Sequence, residues 1–153
     1  MPTISARRIL RGASVGEAEA LWYALARRPA FVDGFASLDV VEGEWPQAGS
    51  RIAWTTPPGG RARVVERVTA YAPGSAQVAA VEDAELRGTQ TVRFTPAGDG
   101  CEISVELSYR VKREGAAGAL ADLIHLRRGL RASFERTLAR LAIELAAERE
   151  LHS

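Results

Sequence analysis

The sequence predicts an α+β fold in which a curved antiparallel sheet of about seven strands wraps around one long C-terminal helix. Three observations predict it. The large apolar residues Leu120, Leu123, Ile124, Leu130, Phe134, Leu138, Leu141 and Leu145 fall on one stripe of a helix running from about residue 116 to 149. From Gly118 to Glu148 such a helix spans about 46 Å, so it needs a broad partner surface. The second observation is a clean alternation: Ile103, Val105, Leu107, Tyr109 and Val111 share one parity, while Glu102, Ser104, Glu106, Ser108 and Arg110 share the other. One face of that strand is therefore buried and one is wet. Third, short Pro- and Gly-bearing links separate the alternating segments, and connections that short join antiparallel neighbours.

Taken in order, Thr3 to Arg11 reads as a first strand ended by Gly12. Ser14 followed by Glu17 matches a capping box, in which each side chain satisfies a backbone N–H of the opening turn. The helix that follows carries Val15, Ala18, Leu21, Trp22 and Leu25 on one face, and Arg27-Arg28-Pro29 reads as its stop. Phe31 to Phe35 is expected to add one short helical turn. Strands are expected at Ser37–Glu42, Arg51–Thr56, Arg61–Ala72, Ala76–Glu82, Leu86–Thr95 and Glu102–Lys112. The links are Pro46 with Gly49, Pro57-Pro58-Gly59-Gly60, Pro73-Gly74, Asp83-Ala84 and Pro96 to Gly100. No repeat or linker divides residues 1–153, which read as one domain. Ala53, Ala62, Ala70, Ala79, Ala80 and Gly88 are small for sheet positions. Where they face the helix a cavity stays open; otherwise helix and sheet close to ordinary packing density.

Composition excludes several classes. Formal charge is +1, and 13 basic residues balance 13 acidic ones over residues 1–112. Neither half has the one-signed surplus of a nucleic-acid arm, so no nucleic-acid partner is expected. Lys112 is the sole lysine against 19 arginines, a bias that fits a GC-rich bacterial genome. Cys101 is alone, which rules out an internal disulfide and a cysteine zinc cluster. With only two histidines, His125 opposite the apolar stripe and His152 in the tail, neither a metal site nor a Ser-His-Asp triad is expected. No GxGxxG or P-loop pattern occurs, so no cofactor is expected. No apolar run has signal-peptide or membrane-spanning length, which makes a cytoplasmic protein without an integral membrane segment the default.

Several fragments carry a family resemblance. They are the Leu21-Trp22 pair, Pro29…Phe31…Phe35 leading into Val40-Val41-Glu42, and Gly49-Ser50-Arg51. Further on come Glu66-Arg67-Val68-Thr69 followed by Pro73, then Phe94-Thr95-Pro96…Gly100, then the long helix. In this order the chain, from about Thr3 to Ala147, resembles the polyketide cyclase/dehydrase-like branch of the START-like, helix-grip superfamily (the SRPBCC group). The resemblance implies a cavity between helix and sheet for an apolar or amphipathic ligand. The superfamily spans lipid and polyketide binders, aromatase/cyclases and membrane-associated factors, so it does not single out one activity.

The candidate site residues follow from parity. Arg127 lies near the centre of the apolar stripe and Arg131 one turn on; an inward guanidinium suits a carboxylate, phosphate or enolate. Either arginine instead packs its stem and pairs with a carboxylate such as Glu66. Glu66 shares parity with Ala62, Val64, Val68 and Ala70. An inward carboxylate has to be paired, protonated or solvated, and it is a candidate general base. A β-bulge would reverse its direction. Gln90 shares parity with Val92 and Phe94, and Tyr109 is inward by the clearest pattern in the chain. Trp54 and Phe94 are candidate apolar wall.

These residues predict a binder of a hydrophobic or amphipathic small molecule. One alternative is a polyketide cyclase, aromatase or dehydratase using Glu66, Tyr109 and Arg127. A further alternative is a module whose groove accepts a protein segment or a lipid surface, and a homodimer stays open.

Overall fold

The computed structural model describes residues 1–112 and 119–152, with side chains from Ala121 onward in the second segment. The start of the long helix expected near residue 116 and the side chain of Leu120 therefore lie outside the described residues. The strands are β1 (Thr3–Leu10), β2 (Ser37–Glu42), β3 (Arg51–Thr55), β4 (Arg63–Ala72), β5 (Ala76–Glu82), β6 (Leu86–Ala97) and β7 (Gly100–Val111). The helices are α1 (Val15–Tyr23), α2 (Arg28–Phe31) and α3 (Ala119–Leu151), with a 3₁₀ turn at Leu25–Arg27. All seven strands form one antiparallel sheet in the order β1-β7-β6-β5-β4-β3-β2. β1 and β2 thus sit at opposite edges, and α1 and α2 carry the chain between them.

The local grammar explains most boundaries. The Ser14–Glu17 capping box opens α1, with both reciprocal bonds at 3.1 Å. Pro29 does not stop a helix; it lies in the first turn of α2, where its missing N–H costs nothing. The extra helical turn is accordingly Arg28–Phe31 rather than Phe31–Phe35. β6 and β7 run further than expected because Ala97 pairs with Gly100, leaving only Gly98 and Asp99 in the turn.

The sheet register sets the inner face. Val41, Ile52, Glu66, Val81, Gly88 and Tyr109 pair in sequence across six strands, forming one continuous cross-strand row. A bulge does interrupt β4, but it falls between Val68 and Ala70, beyond Glu66. Glu66 therefore keeps its inward direction, while Ala70 turns outward and is exposed. Of the six small residues, Ala62, Ala70 and Ala80 are exposed, and Ala53 has the parity opposite to Ile52 and Trp54. Only Ala79 and Gly88 reach the inner face. Gly88 is required for another reason: a Cβ there would meet the Ser108 carbonyl oxygen at 2.2 Å.

α3 lies over this face, against β1, α1 and α2. Leu130, Phe134, Leu138, Leu141 and Leu145 are buried, as the stripe requires. Its first turns overhang. Leu123 and Ile124 are 38% and 46% exposed, and Gly129 has open space where a Cβ would stand. Asp33, just after α2, fixes the helix laterally. Its carboxylate accepts hydrogen bonds from Ser133 Oγ at 2.8 Å and from Arg136 at 2.9 and 3.1 Å, and it pairs with Arg140 at 3.2 Å. Its backbone N–H donates to Thr137 Oγ1 at 2.9 Å. The Arg136 hydrogen bonds hold the Asp33 carboxyl below its ordinary range against the opposing effect of partial burial, with help from Ser133 and the positive charges of Arg136 and Arg140.

Two predictions follow the packing. Phe134→Ala and Leu138→Ala should each cost about 2–5 kcal/mol in chemical denaturation, whereas exposed His125→Ala should change stability by less than about 0.5 kcal/mol. Gly129→Ala should stabilise by about 0.5–1 kcal/mol, since the new methyl meets nothing and alanine favours helix. The Asp33 contacts predict a pH dependence. A carboxylate held below its unfolded pKa of about 3.9 adds stability that is present above that value and is lost as pH falls through the lower folded value. Asp33→Asn should therefore cost about 1–3 kcal/mol at pH 7, and the gap to the parent should narrow as melts are carried out at pH values progressively below about 3.9.

Candidate functional site

A cavity of about 40 Å³ lies where α3 crosses the middle of the sheet. Trp54, Glu66, Gln90 and Val105 form its floor, and Ser133, Phe134 and Thr137 its roof. Trp22 and Arg28 close one flank. Arg61 and Asp33, with 21% and 17% of their side-chain surface exposed, stand toward solvent. The volume accommodates a small polar group; pockets that enclose whole drug-sized ligands run to roughly 300–1,000 Å³.

The floor is built around a charge placed in an apolar row. Glu66 pairs in register with Ile52 and Val81, both buried, and is itself 3% exposed. One of its oxygens, Oε2, accepts from Arg28 Nη1 at 2.9 Å and from Trp54 Nε1 at 2.7 Å. Arg28, also 3% exposed, sits 5.3 Å from the centre of the Trp45 ring, so an aromatic face covers part of its charge. Phe35 stacks on Trp54 at 5.2 Å and holds the indole in place. A second pair stands beside the first. Arg61 Nε donates to Asp83 Oδ2 at 2.8 Å, while Asp83 Oδ1 accepts from the backbone N–H groups of Glu85 and Leu86.

What these groups leave unspent defines the site. Glu66 Oε1, Arg28 Nε, Arg61 Nη2 and Trp22 Nε1 are buried and have no hydrogen-bond partner among the described residues. All four residues line this cavity, whereas a further unpaired buried atom, Tyr23 Oη, belongs to the aromatic cluster outside it. A buried polar atom left unpaired costs about 1–3 kcal/mol, and native proteins contain few of them. Four such atoms on residues that line one cavity single it out as the candidate site.

The residues expected from sequence separate into two groups. Trp54, Glu66 and Gln90 reach the cavity, and the first two are hydrogen-bonded to each other. Phe94 faces inward but belongs to an aromatic cluster, 6.2 Å from Tyr23 and away from the cavity lining. Burial in that cluster pushes the Tyr23 phenol pKa up. Tyr109 is 1% exposed within the main core and does not line the cavity. Arg127 has the inward phase of the stripe, seven residues before Phe134, yet it is exposed, as are Leu123 and Ile124 on the same stripe. Arg131 is also outside, 60% exposed and 3.8 Å from Glu135. The triad of Glu66, Tyr109 and Arg127 is thus not assembled, and the partner of Glu66 is Arg28. Sequence reading missed Arg28, Arg61 and Trp22. Arg28 carries a usable signal, an arginine immediately before a helix-opening proline. No group of three or more His, Cys, Asp or Glu among the described residues is placed to hold a metal ion, and no described helix is long and apolar enough to cross a membrane.

Known proteins share this fold. A Thermus thermophilus protein superposes with a TM-score of 0.76 at 22% identity, covering 96% of this chain and 99% of its own. The di-domain aromatase/cyclase StfQ of the steffimycin biosynthetic pathway gives 0.74 at 24% identity over 97% of this chain, which spans 51% of that protein. Truncated norcoclaurine synthase from Thalictrum flavum gives 0.65 at 14% identity, covering 92% of this chain and 91% of its own. No curated protein matches by sequence. These likenesses establish the START-like, helix-grip fold. The family model described as polyketide cyclase / dehydrase and lipid transport matches residues 4–146, nearly the whole chain, and the chain belongs to that family.

Proposed function

We propose that the protein binds an amphipathic small molecule, lipid- or polyketide-like, whose polar group enters the cavity between sheet and α3. One observation carries this reading: Glu66, clamped through Oε2 by Arg28 and Trp54, presents an unpaired Oε1 to that cavity. A buried ion pair adds little stability compared with apolar residues of the same size, so stability alone does not account for its place in the middle of an apolar row. The family description, which joins polyketide chemistry with lipid transport, supports the same class of ligand.

The cavity takes only the polar end. The apolar remainder is assigned to the α3 face that runs from buried Phe134 toward the exposed Leu123 and Ile124 on the first turns of the helix. Those turns are mostly exposed, so displacing them sacrifices little burial. Arg127 lies about 9 Å along the helix axis from Ser133 and is assigned to the rim, beside Arg131, rather than to the floor.

A cyclase or dehydratase reading uses the same atoms. Glu66 Oε1 is an open proton acceptor and Arg61 Nη2 an open donor for a developing oxyanion. Binding is favoured because one carboxylate oxygen, two guanidinium N–H groups and one indole N–H make a sparse catalytic set.

Thermal melts against long-chain alcohols and polycyclic phenols test the proposal. Occupancy should raise stability as RT ln(1 + [L]/Kd), about 2.7 kcal/mol at a hundredfold excess over Kd. Val105→Phe, which fills the cavity, should abolish the shift at a cost of about 1–3 kcal/mol in its own stability. Equal shifts in the parent and Val105→Phe would place the ligand elsewhere. Turnover of a poly-β-ketone by the parent, lost in Glu66→Gln, would replace binding by catalysis.

A further inference from the structure

The charges around the cavity already cancel. Arg28 from α2 faces Glu66 from β4, and Arg61 faces Asp83 from the β5–β6 turn. Toward solvent, Asp33 is met by Arg136 and Arg140 from α3, whose side chains are 53% and 46% exposed, so water screens the surplus cation there. No buried charge is left over for an ionic ligand to neutralise. What remains is one acceptor, Glu66 Oε1, and three donors, Arg28 Nε, Arg61 Nη2 and Trp22 Nε1.

We infer that the inward group of the ligand is uncharged and bears an O–H: a phenol, an enol or an alcohol, and not a carboxylate. The inference rests on the reading that the cavity is a ligand site. A hydroxyl supplies one donor and two lone pairs. Its O–H donates to Glu66 Oε1 and its oxygen accepts from two of the unspent N–H groups, which satisfies the acceptor and two of the donors together. A carboxylate would give up its hydration to lie against the Glu66 carboxylate. An ether or ester would reach the donors and leave Oε1 unpaired.

The floor also fixes what one substitution does. In Glu66→Gln the donors from Arg28 and Trp54 hold the amide oxygen where Oε2 stood, so the amide N–H₂ points into the cavity. The acceptor becomes a donor, and the charge of Arg28 loses its partner. Both changes turn the site toward anions.

Calorimetric titration of the parent with 2-naphthol, 2-methoxynaphthalene and 2-naphthoate at pH 7 decides the matter, since the phenol is neutral there and the acid ionised. The expected result is binding of 2-naphthol at least about tenfold tighter than of either relative, the ratio set by leaving a buried acceptor unpaired. Glu66→Gln should invert the order, with 2-naphthoate the tightest. The parent series is sufficient by itself should that variant fail to fold. Affinities within threefold of one another, or a preference for 2-naphthoate in the parent, would overturn the inference and leave the ligand site standing. A 2-naphthol preference that survives in folded Glu66→Gln would overturn it as well. Absence of binding by all three would reject the ligand site and the inference together.

Discussion

The structure depends on one ion pair in a place where charges are expensive. Arg28 and Glu66 are each about 3% exposed, and they join the shortest helix to the middle of the sheet. Neither charge is tolerable there without the other. The pair therefore decides where α2 sits, and α2 leads directly into Asp33, which accepts from Ser133 and Arg136 and pairs with Arg140, all on α3. Position passes in this way from a strand to a short helix and from there to the long one. The cavity is the space left where these constraints meet.

The long helix divides by function along its length. From Leu130 to Leu145 its inner stripe is core, packed on β1 and on the two short helices. Before Leu130 the stripe loosens: Leu126 still packs partly against the core, whereas Leu123 and Ile124, which would be core further along, are wet. Gly129 stands at that boundary without a packing reason to be glycine. A fold that grips its helix at one end only keeps a firm core and an accessible cavity in the same element.

The sequence made the architecture legible because architecture follows periodicity. Period-two alternation in β7, a capping box at Ser14 and an apolar stripe on α3 each have a direct physical reading; the first two survive in the structure, and the stripe does so from Leu130 onward. Glu66 was legible for the same reason, since parity alone sends it inward. Arg127 was misplaced although its phase was right: periodicity gives the angle around a helix but not where along its length the sheet ends. Arg28 and Arg61 escaped for a different reason. Both sit at element boundaries, Arg28 beside Pro29 and Arg61 before the positive-φ residue Ala62, and boundaries have no period from which direction can be read. Phe94 and Tyr109 were correctly inward, but an inner face some 12 residues long on β6 and β7 is larger than a 40 Å³ cavity. Most inward residues are simply core.

The row from Val41 through Glu66 to Tyr109 has a consequence for how the sheet assembles. Slipping β4 by one residue against β3 and β5 would bring Val65 or Arg67 to the inner face in place of Glu66. Arg28 would then be sealed into the core with no counter-ion, or forced out along with α2 and the Asp33 tether to α3. Hydrophobic pattern alone penalises such a slip gradually, one side chain after another. A buried charge that only one register can answer penalises it at once, so the ion pair acts as a proofreading step: the helices can close over the sheet only when its strands are aligned.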